Sequence, residues 1–418
     1  MEEVVIVGAG IAGLATAVAL KKVGVRALIL ERSKELRATG AALGLFPNAW
    51  VALDKLGVSD KLAALYAPFE RGYITDVKTK SIQEVHYPRS NRNGAQPRAV
   101  HRKVLLEVLA EELPPNSIRF SSKITSIETQ VEQGSPICIV TLDDGSIIKS
   151  KVVIGCDGVH SIVARWLGLR PPVYSGRSAV RGLSVFPKGH GYDQSHGIHQ
   201  FVDVGKRAGF ITLNDKEVYW FFGATCPPKG LEKGADPEMI QREVIENLAK
   251  DFPSVFLDVV KHSDLSSLTW APLMFRYPWN ILFGKLARSN VTVAGDAMHP
   301  MTPDLGQGGC SALEDAVVLG RHLGDSISKH GKLVTQDIGF AMERYAKERR
   351  LRAATLITAS YLSGWVQQDG SSRLMKFLRD VVFYKLLLAR VVNSITEYDC
   401  GKLPSVSSLP SRESESSI

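Results

Sequence analysis

The stretch Val4–Arg32, VVIVGAGIAGLATAVALKKVGVRALILER, decides the fold of this chain. It begins with the apolar run Val4–Val7, which is typical of a parallel strand buried on both faces. Gly8, Gly10 and Gly13 follow in the pattern GxGxxG. The first glycine permits a tight turn, the second lets the backbone approach a pyrophosphate, and the third lets a helix pack closely on the strand. The stretch therefore predicts a dinucleotide-binding strand, turn and helix.

The residues after the glycines indicate which nucleotide is bound. The helix continues through small residues such as Ala12, and a second strand, Arg26–Leu30, ends in Glu31 and Arg32. A carboxylate at Glu31 accepts hydrogen bonds from both ribose hydroxyls and repels a 2′-phosphate. The pattern favours the adenosine half of FAD or NAD over that of NADP.

A second strand-to-turn motif lies in KVVIGCDGVHS, Lys151–Ser161. Here an apolar strand ends in a glycine, and Asp157 and Gly158 follow. By itself an Asp-Gly pair after a strand is an ordinary turn. This motif indicates a functional site only in combination with the other motifs.

A third motif lies in VTVAGDAMHPMTPDLGQGGCSALEDAVVLGRHLG, Val291–Gly324. Its strand ends in Gly295 and Asp296, and a proline-bearing loop leads into a long helix. The glycines that open this helix are Gly306, Gly308 and Gly309. A carboxylate at a strand end can hold a polyol hydroxyl, while a helix N-terminus offers unpaired amides and positive potential. This arrangement suits the negatively charged edge of a reduced flavin and favours FAD.

Taken in this order and at these distances, the three motifs resemble those of single-component flavoprotein monooxygenases related to salicylate and 4-hydroxybenzoate hydroxylases. The resemblance extends over Val4–Lys347. Within that family, GDAMHPMTPDLGQGGCSALEDAVVL and the ending EYDCGKLP, Glu397–Pro404, are most similar to the plant monooxygenase-1-like branch.

The resemblance implies FAD-binding roles for particular residues. They are Gly8, Gly10 and Gly13 at the pyrophosphate, Glu31 at the ribose, Arg102 at a helix start, Ile124 at the adenine through its backbone, and Asp296 at the ribityl chain. Asp157 is expected to serve both FAD placement and reaction with the pyridine nucleotide. Gly40 and Ala41 match, more loosely, a loop that passes the flavin. Pro303 matches a proline whose backbone lies over the flavin ring.

The resemblance also implies a reaction. NADH or NADPH docks transiently and reduces FAD, and dioxygen then forms a flavin C4a-hydroperoxide that attacks an electron-rich carbon of a small phenolic or benzoate-like substrate. Only one dinucleotide fingerprint is present, which fits a visiting nicotinamide cofactor. No side chain is assigned as a general base. The candidates for direct participation are Pro303 and a cationic anchor at Arg181, whose alternative interpretation is a surface or inter-strand arginine.

Two aromatic residues are substrate-pocket candidates. Tyr219 and Trp220 lie in the apolar stretch VYWFFG. They are expected either to form a wall of the pocket or to pack in the core of a β layer.

The remaining segments predict two layers. The cofactor motifs fall in residues 1–70, 101–170 and 276–330, whereas residues 71–100 and 171–275 show alternating, β-like stretches separated by glycine and proline. We expect an α/β fold in which a Rossmann-like FAD-binding domain is interrupted by a mostly β substrate-binding layer. Residues 331–404 are predicted to form a C-terminal helical segment, and the polar residues 405–418 a disordered tail.

Composition excludes several classes of protein. The 418 residues carry a formal charge of +8, from 51 basic and 43 acidic residues that are scattered along the chain, so no nucleic-acid partner is predicted. The five cysteines are odd in number and far apart, and the ten histidines lack metal-ligand spacing. Neither a disulfide framework nor a metal site is therefore expected.

The chain is expected to be cytoplasmic. No signal-peptide pattern precedes the first strand, and the longest uncharged run is too short to span a bilayer. The apolar stretch Val381–Val392, interrupted by Lys385 and Arg390, leaves weak membrane contact by the C-terminal helices open beside core packing.

Two other functions stay open at this point. One is a same-fold FAD epoxidase or reductase that acts on a terpenoid or isoprenoid. The other is a non-catalytic flavoprotein, against which Asp157 and Asp296 count. A halogenase is disfavoured because its WxWxIP motif is missing and Trp279 stands only in PWN. Oligomeric state is not predicted.

Overall fold

The computed structural model describes residues 1–36, 42–87, 89–90, 94–132, 134–192, 197–225, 236–368, 382 and 388–405. Gly40 and Ala41, for which a flavin-loop role is predicted, lie outside these residues. So do residues 381 and 383–387 of the apolar stretch 381–392 and residues 406–418 of the predicted tail.

Both strands and helices occur along the described part of the chain. The strands are β1 (Glu2–Val7), β2 (Ala27–Leu30), β3 (Ala42–Leu45), β4 (Arg71–Asp76), β5 (Ile82–His86), β6 (Arg98–His101), β7 (Ile118–Arg119), β8 (Ile124–Glu132), β9 (Ser135–Leu142), β10 (Ile147–Gly155), β11 (Val173–Val185), β12 (Ile198–Asp203), β13 (Lys206–Thr212), β14 (Glu217–Ala224), β15 (Thr269–Phe275), β16 (Ala287–Arg288) and β17 (Val291–Val293). The helices are α1 (Ile11–Lys22), α2 (Pro47–Leu56), α3 (Ser59–Ala63), α4 (Arg102–Glu111), α5 (Ile162–Trp166), α6 (Pro237–Glu243), α7 (Ser254–Lys261), α8 (Pro278–Leu282), α9 (Gln307–His330), α10 (Thr335–Gln368) and α11 (Leu388–Thr396).

The first sheet carries the dinucleotide-binding unit. Its strands run in the order β16-β17-β10-β1-β2-β7, with β9 and β8 attached beside β10. β1, β10 and β17 are parallel, and Val7, Gly155 and Val293 stand side by side at their carboxyl ends. Because parallel strands end at the same edge, the GxGxxG, Asp-Gly and Gly-Asp motifs meet there.

The second sheet runs β15-β11-β14-β13-β12-β4-β5, and its neighbouring strands are antiparallel except for β12 and β4. Successive side chains in a strand point to opposite faces. On one face Val180, Trp220 and Phe222 pack with Phe256 of α7 in a second hydrophobic core. The alternate residues of the same strands face the motif-bearing edge of the first sheet.

Helices α1 and α9 pack closely because their contact uses small residues. A Cβ atom at Gly320 would lie 2.8 Å from the Cβ of Ala19, and one at Gly324 would lie 2.9 Å from the Cβ of Val23. Larger residues would force the helices apart, since protein interiors are close-packed. The architecture confirms the predicted class: an α/β, Rossmann-like domain combined with a mostly β layer, followed by helices α10 and α11.

Candidate functional site

A cleft of about 450 Å³ lies between the motif-bearing edge of the first sheet and the inner face of the second. Its lining draws on both layers. From the cofactor side come Gly10, Ala12, Arg102, Asp296, Pro303, Gly306, Gly308 and Gly309, and from the second sheet come Arg177, Arg181, Gln200, Arg207, Tyr219 and Phe221. The fold thus brings these predicted FAD residues against Arg181 and Tyr219 of the candidate substrate residues.

The three glycines of the first turn have different environments. Gly8 has a φ of +101°, and a Cβ at Gly13 would lie 1.9 Å from the carbonyl oxygen of Gly8. Both are therefore needed by the fold itself. A Cβ at Gly10 would meet no protein atom within 4 Å. This open space lies at the N-terminus of α1, where helix amides favour a phosphate, so it fits a pyrophosphate group.

Glu31 is held in place by the same turn. Its Oε2 accepts a hydrogen bond from the Ala9 amide at 2.8 Å, and its Oε1 accepts one from the Ser33 amide at 2.9 Å. A carboxylate oxygen can accept a second hydrogen bond, which leaves capacity for ribose hydroxyls. Glu31, exposed Arg32 and buried Ile124 all lie outside the cleft lining. Their contacts with a cofactor stay predictions.

Asp296 lies in the turn after β17, close in space to the N-terminus of α9. Its carboxylate is exposed between the buried residues Gly295 and Ala297, and a Cβ at Gly308 would lie 3.9 Å from its Oδ1. Gly306 precedes the helix with a φ of +65°, and among the described residues no side chain caps the first amides. An exposed carboxylate beside uncapped amides fits a polyol hydroxyl and a negatively charged ring edge.

Asp157 fixes the turn after β10. It accepts hydrogen bonds from the Ser161 hydroxyl and from the Ile162 amide, the latter at 2.6 Å. Burial raises the pKa of Asp157, and these hydrogen bonds oppose the shift. The neighbouring residues Cys156 and Gly158 line the cleft, whereas Asp157 does not. Its predicted roles toward FAD and the pyridine nucleotide are not visible in these contacts and stay predictions.

A buried ionic network supports the Gly-Asp turn. Asp315 Oδ2 accepts a hydrogen bond from the Gly295 amide at 2.7 Å and lies 2.6 Å from His299 Nε2. Its Oδ1 accepts a hydrogen bond from Arg349 Nε at 2.6 Å. Burial raises the pKa of Asp315, but the charges of His299 and Arg349 outweigh it and lower that pKa below its ordinary value. Asp315 thereby ties α9 and α10 to the turn that presents Asp296.

Asp304, which follows Pro303, joins two arginines of the second sheet. Arg177 binds it through two parallel hydrogen bonds of 2.9 and 2.8 Å, and Arg207 Nη1 lies 3.1 Å from Oδ1. Arg207 also donates to the side-chain oxygen of Gln200 at 3.1 and 2.8 Å. Charge-assisted and bidentate pairs are the strongest hydrogen bonds in proteins. This cluster fixes the loop after Pro303 against the second sheet.

Tyr219 and Trp220 face opposite sides of β14. Tyr219 lines the cleft with Arg181. Burial raises the pKa of Tyr219, and the charge of Arg181 partly opposes the shift, so the phenol is protonated at neutral pH. Trp220 is fully buried in the second core, where its Nε1 donates to Ser263 Oγ at 2.9 Å. The alternation along a strand thus brings Tyr219 to the cleft and takes Trp220 away from it.

Comparison with known proteins identifies the family. The FAD binding domain family matches residues 1–360. This chain belongs to that family and is an FAD-dependent monooxygenase. The monooxygenase is 41% identical to Monooxygenase 2 and 38% identical to Monooxygenase 1 of Arabidopsis thaliana, over 411 residues that cover 96% of this chain and 98% and 100% of those proteins.

A solved structure agrees with this assignment. Klebsiella pneumoniae HpxO, crystallised with FAD and uric acid, superposes with a TM-score of 0.78 at 25% identity, covering 96% of each chain. The resemblance stated from the sequence motifs and FAD as the cofactor are therefore confirmed for the monooxygenase.

One part of this site cannot be recognised from sequence motifs. Arg177, Arg207 and Gln200 stand in strands without any fingerprint, and only the fold brings them to Asp304. Asp304 itself carries a usable signal, because it is an acid directly after the proline expected over the flavin.

Proposed function

We propose that this monooxygenase uses NADH or NADPH and dioxygen to hydroxylate a small, anionic aromatic substrate of the phenolic or benzoate-like class. The observation that carries the proposal is the composition of the cleft. One end holds the FAD motifs, and the facing wall holds arginines and aromatic rings.

The charge of the cleft favours an anion. The described residues that line it include the arginines Arg102, Arg177, Arg181 and Arg207 but only the acids Asp296 and Asp304. Asp304 neutralises one charge of the Arg177 and Arg207 pair, and Arg181 adds another positive charge to the same wall. Because electrostatic interactions are stronger in a cleft with low-dielectric walls, a carboxylate or phenolate is attracted there.

The aromatic wall favours a flat ring. Tyr219 and Phe221 alternate on β14 with residues of the second hydrophobic core and so present two rings to the cleft. The protonated Tyr219 hydroxyl can donate a hydrogen bond to an oxygen of a substrate. Rings of this kind orient an aromatic substrate by stacked or edge contacts while excluding water.

Bound FAD supplies the redox and oxygen-transfer chemistry. This chain holds FAD through Gly10 and the amides of α1, and through Asp296 and the amides of α9. Pro303 and Asp304 keep the intervening loop in place, and Arg181 and Tyr219 position the substrate ring. The uric acid bound by HpxO, an acidic heteroaromatic compound, supports this class.

The test is substrate-stimulated oxidation of NADH and NADPH by the purified yellow protein. Phenols, benzoates, purines and small terpenoids are compared while oxygen consumption and peroxide release are followed together. We expect an anionic aromatic compound to stimulate oxidation without matching peroxide release. Arg181→Gln should raise KM for that compound on the order of tenfold and leave KM for its uncharged analogue unchanged.

Other outcomes would contradict the proposal. Stimulation by an uncharged terpenoid alone would favour an epoxidase. Oxidation of the nicotinamide under anaerobic conditions with reduction of an added double bond would favour a reductase. Tightly bound FAD with no stimulation by any class would favour a non-catalytic flavoprotein.

A further inference from the structure

Three segments beside the cleft lie next to one another. Residues 165–174 precede and begin β11, residues 276–288 contain α8, and residues 350–367 form the second half of α10. Arg350 donates hydrogen bonds to the Ile281, Leu282 and Gly284 carbonyls at the end of α8. A Cβ at Gly284 would lie 2.9 Å from Leu169 Cδ2. The three segments are therefore neighbours, and we call their exposed face the α8 surface.

Large apolar side chains protrude from the α8 surface. Trp279 is 51% exposed and Phe283 85% exposed, and the ring of Trp279 stacks on that of Tyr277 at 4.3 Å. Leu351, Leu362 and Trp365 are exposed on the adjoining face of α10. Single exposed apolar residues are normal, but several large ones on adjoining segments mark a candidate interaction site.

The charged residues within these three segments all have one sign. Residues 165–174, 276–288 and 350–367 include no Asp or Glu. Their exposed charged residues are Arg165, Arg170, Lys285 and Arg288. A surface that combines protruding tryptophan and phenylalanine with unopposed basic residues complements a bilayer that carries negative headgroups, because rings enter the interfacial region while lysine and arginine meet the phosphates.

We propose that the α8 surface docks this monooxygenase reversibly onto an anionic lipid bilayer. The contact is peripheral, since no helix in the described part of the chain has the length and apolar character needed to cross a membrane. Trp279 and Phe283 insert at the interface, and Arg170 and Lys285 supply the electrostatic attraction.

Docking at this surface would place the membrane beside the cleft. The same half of α10 that exposes Trp365 also contributes Gln367 to the cleft lining. Gly364 lies against the Arg177 and Asp304 pair, where a Cβ would come within 2.1 Å of Arg177 Nη1. A bilayer at the α8 surface therefore lies next to a helix that lines the cleft.

The experiment is flotation of the purified holoenzyme with vesicles of phosphatidylcholine containing about 30% phosphatidylserine, compared with phosphatidylcholine alone. We expect flotation only with the anionic vesicles. The double variant W279S/F283S should lower the partition coefficient on the order of tenfold or more, because it removes the inserted rings. The double variant R170Q/K285Q should lower it roughly fivefold per charge removed.

Matched control variants test whether the α8 surface is the part of the protein that contacts the bilayer. V131S/I147S removes side chains that are 73% and 64% exposed elsewhere, and K188Q/K216Q removes two exposed charges of the second sheet. Both should float like the wild type, and bound-flavin absorbance confirms that every variant is folded. The proposal would be overturned if the wild type did not float with the anionic vesicles, or if W279S/F283S floated as well as the wild type. A wild-type dimer in light scattering that W279S/F283S converts to monomer would also overturn it, since a second copy would then cover the surface.

Discussion

His299 Nε2 and Asp315 Oδ2 lie 2.6 Å apart, and both side chains are completely inaccessible to solvent. The same Asp315 oxygen accepts the hydrogen bond of the Gly295 amide. Asp315 therefore determines the position of the turn that carries Asp296, although it lies inside α9 and does not line the cleft. A buried carboxylate thus supports the candidate cofactor site.

Replacing Asp315 by asparagine should weaken both the fold and FAD binding. The variant removes the carboxylate that Arg349 and His299 share in a dry interior, although Glu314 still lies 2.7 Å from Arg349. Breaking a buried pair in this way costs about 3–5 kcal/mol of unfolding free energy. Urea denaturation measures the stability, and the flavin absorbance that remains after desalting measures FAD retention. Asp325→Asn is the matched control on the same helix, because Asp325 is 36% exposed and pairs with Arg344 at 3.3 Å. That surface pair contributes about 0–1 kcal/mol, so Asp325→Asn should retain FAD.

The same network predicts the acid dependence of stability. Glu314 belongs to it because its carboxylate lies 2.7 Å from Arg349. Burial raises the pKa of Glu314 and of Asp315, but neighbouring positive charges outweigh it, so both pKa values lie below their ordinary range. A carboxyl whose pKa is lower in the folded state stabilises the fold above its unfolded pKa of about 4, and this contribution is lost as pH falls through the folded pKa. Tm should therefore drop below about pH 4. Asp315→Asn should show a shallower drop between pH 5 and pH 3 in scanning calorimetry, and an unchanged slope would contradict this assignment.

Two glycines of the GxGxxG motif should differ in their response to substitution by alanine. A Cβ at Gly10 meets no protein atom within 4 Å, whereas a Cβ at Gly13 would lie 1.9 Å from the Gly8 carbonyl oxygen. Gly10→Ala should leave the apoprotein as stable as the wild type and lower FAD affinity, because the methyl group enters the pyrophosphate space. Gly13→Ala should destabilise the apoprotein itself by several kcal/mol. Calorimetry of flavin-free protein and flavin titration separate the two effects, and equal apoprotein stabilities would contradict the interpretation.

Much of the cofactor side could be predicted from the sequence, because local rules govern it. A buried strand, a glycine turn and a helix need particular residue types at fixed spacing, so Gly8, Gly13 and Asp296 can be recognised from neighbouring residues alone. The strands that carry these motifs are parallel and end at one edge, which is why three distant motifs meet in the cleft.

The substrate side could be predicted only in part, because it depends on contacts between distant strands. Arg177 and Arg207 belong to β11 and β13, and both reach Asp304, which lies 127 and 97 residues away in the chain. No local pattern encodes such a meeting. The sequence also does not determine which of Tyr219 and Trp220 faces the cleft, because a strand with apolar residues on both sides does not show which side meets it.

The opposite orientations of Tyr219 and Trp220 give a paired prediction. Tyr219→Phe removes a hydroxyl at the cleft. It should raise KM, or lower the coupling of nicotinamide oxidation to hydroxylation, about three- to tenfold. Its unfolding free energy should change by less than about 1 kcal/mol. Trp220→Phe removes the hydrogen bond to Ser263 and leaves a void in the second core. It should lower the unfolding free energy by about 2 kcal/mol and leave KM unchanged.

Urea denaturation and substrate-stimulated nicotinamide oxidation, performed on both variants, check this pair. Neither variant should lose FAD, because Tyr219 faces the substrate side of the cleft and Trp220 lies behind the sheet. The orientation of β14 would be contradicted if Trp220→Phe altered KM at wild-type stability, or if Tyr219→Phe destabilised the protein and left turnover unchanged. An exchange of the two phenotypes would mean that β14 is shifted by one residue, because a one-residue slip moves every side chain of a strand to the other face.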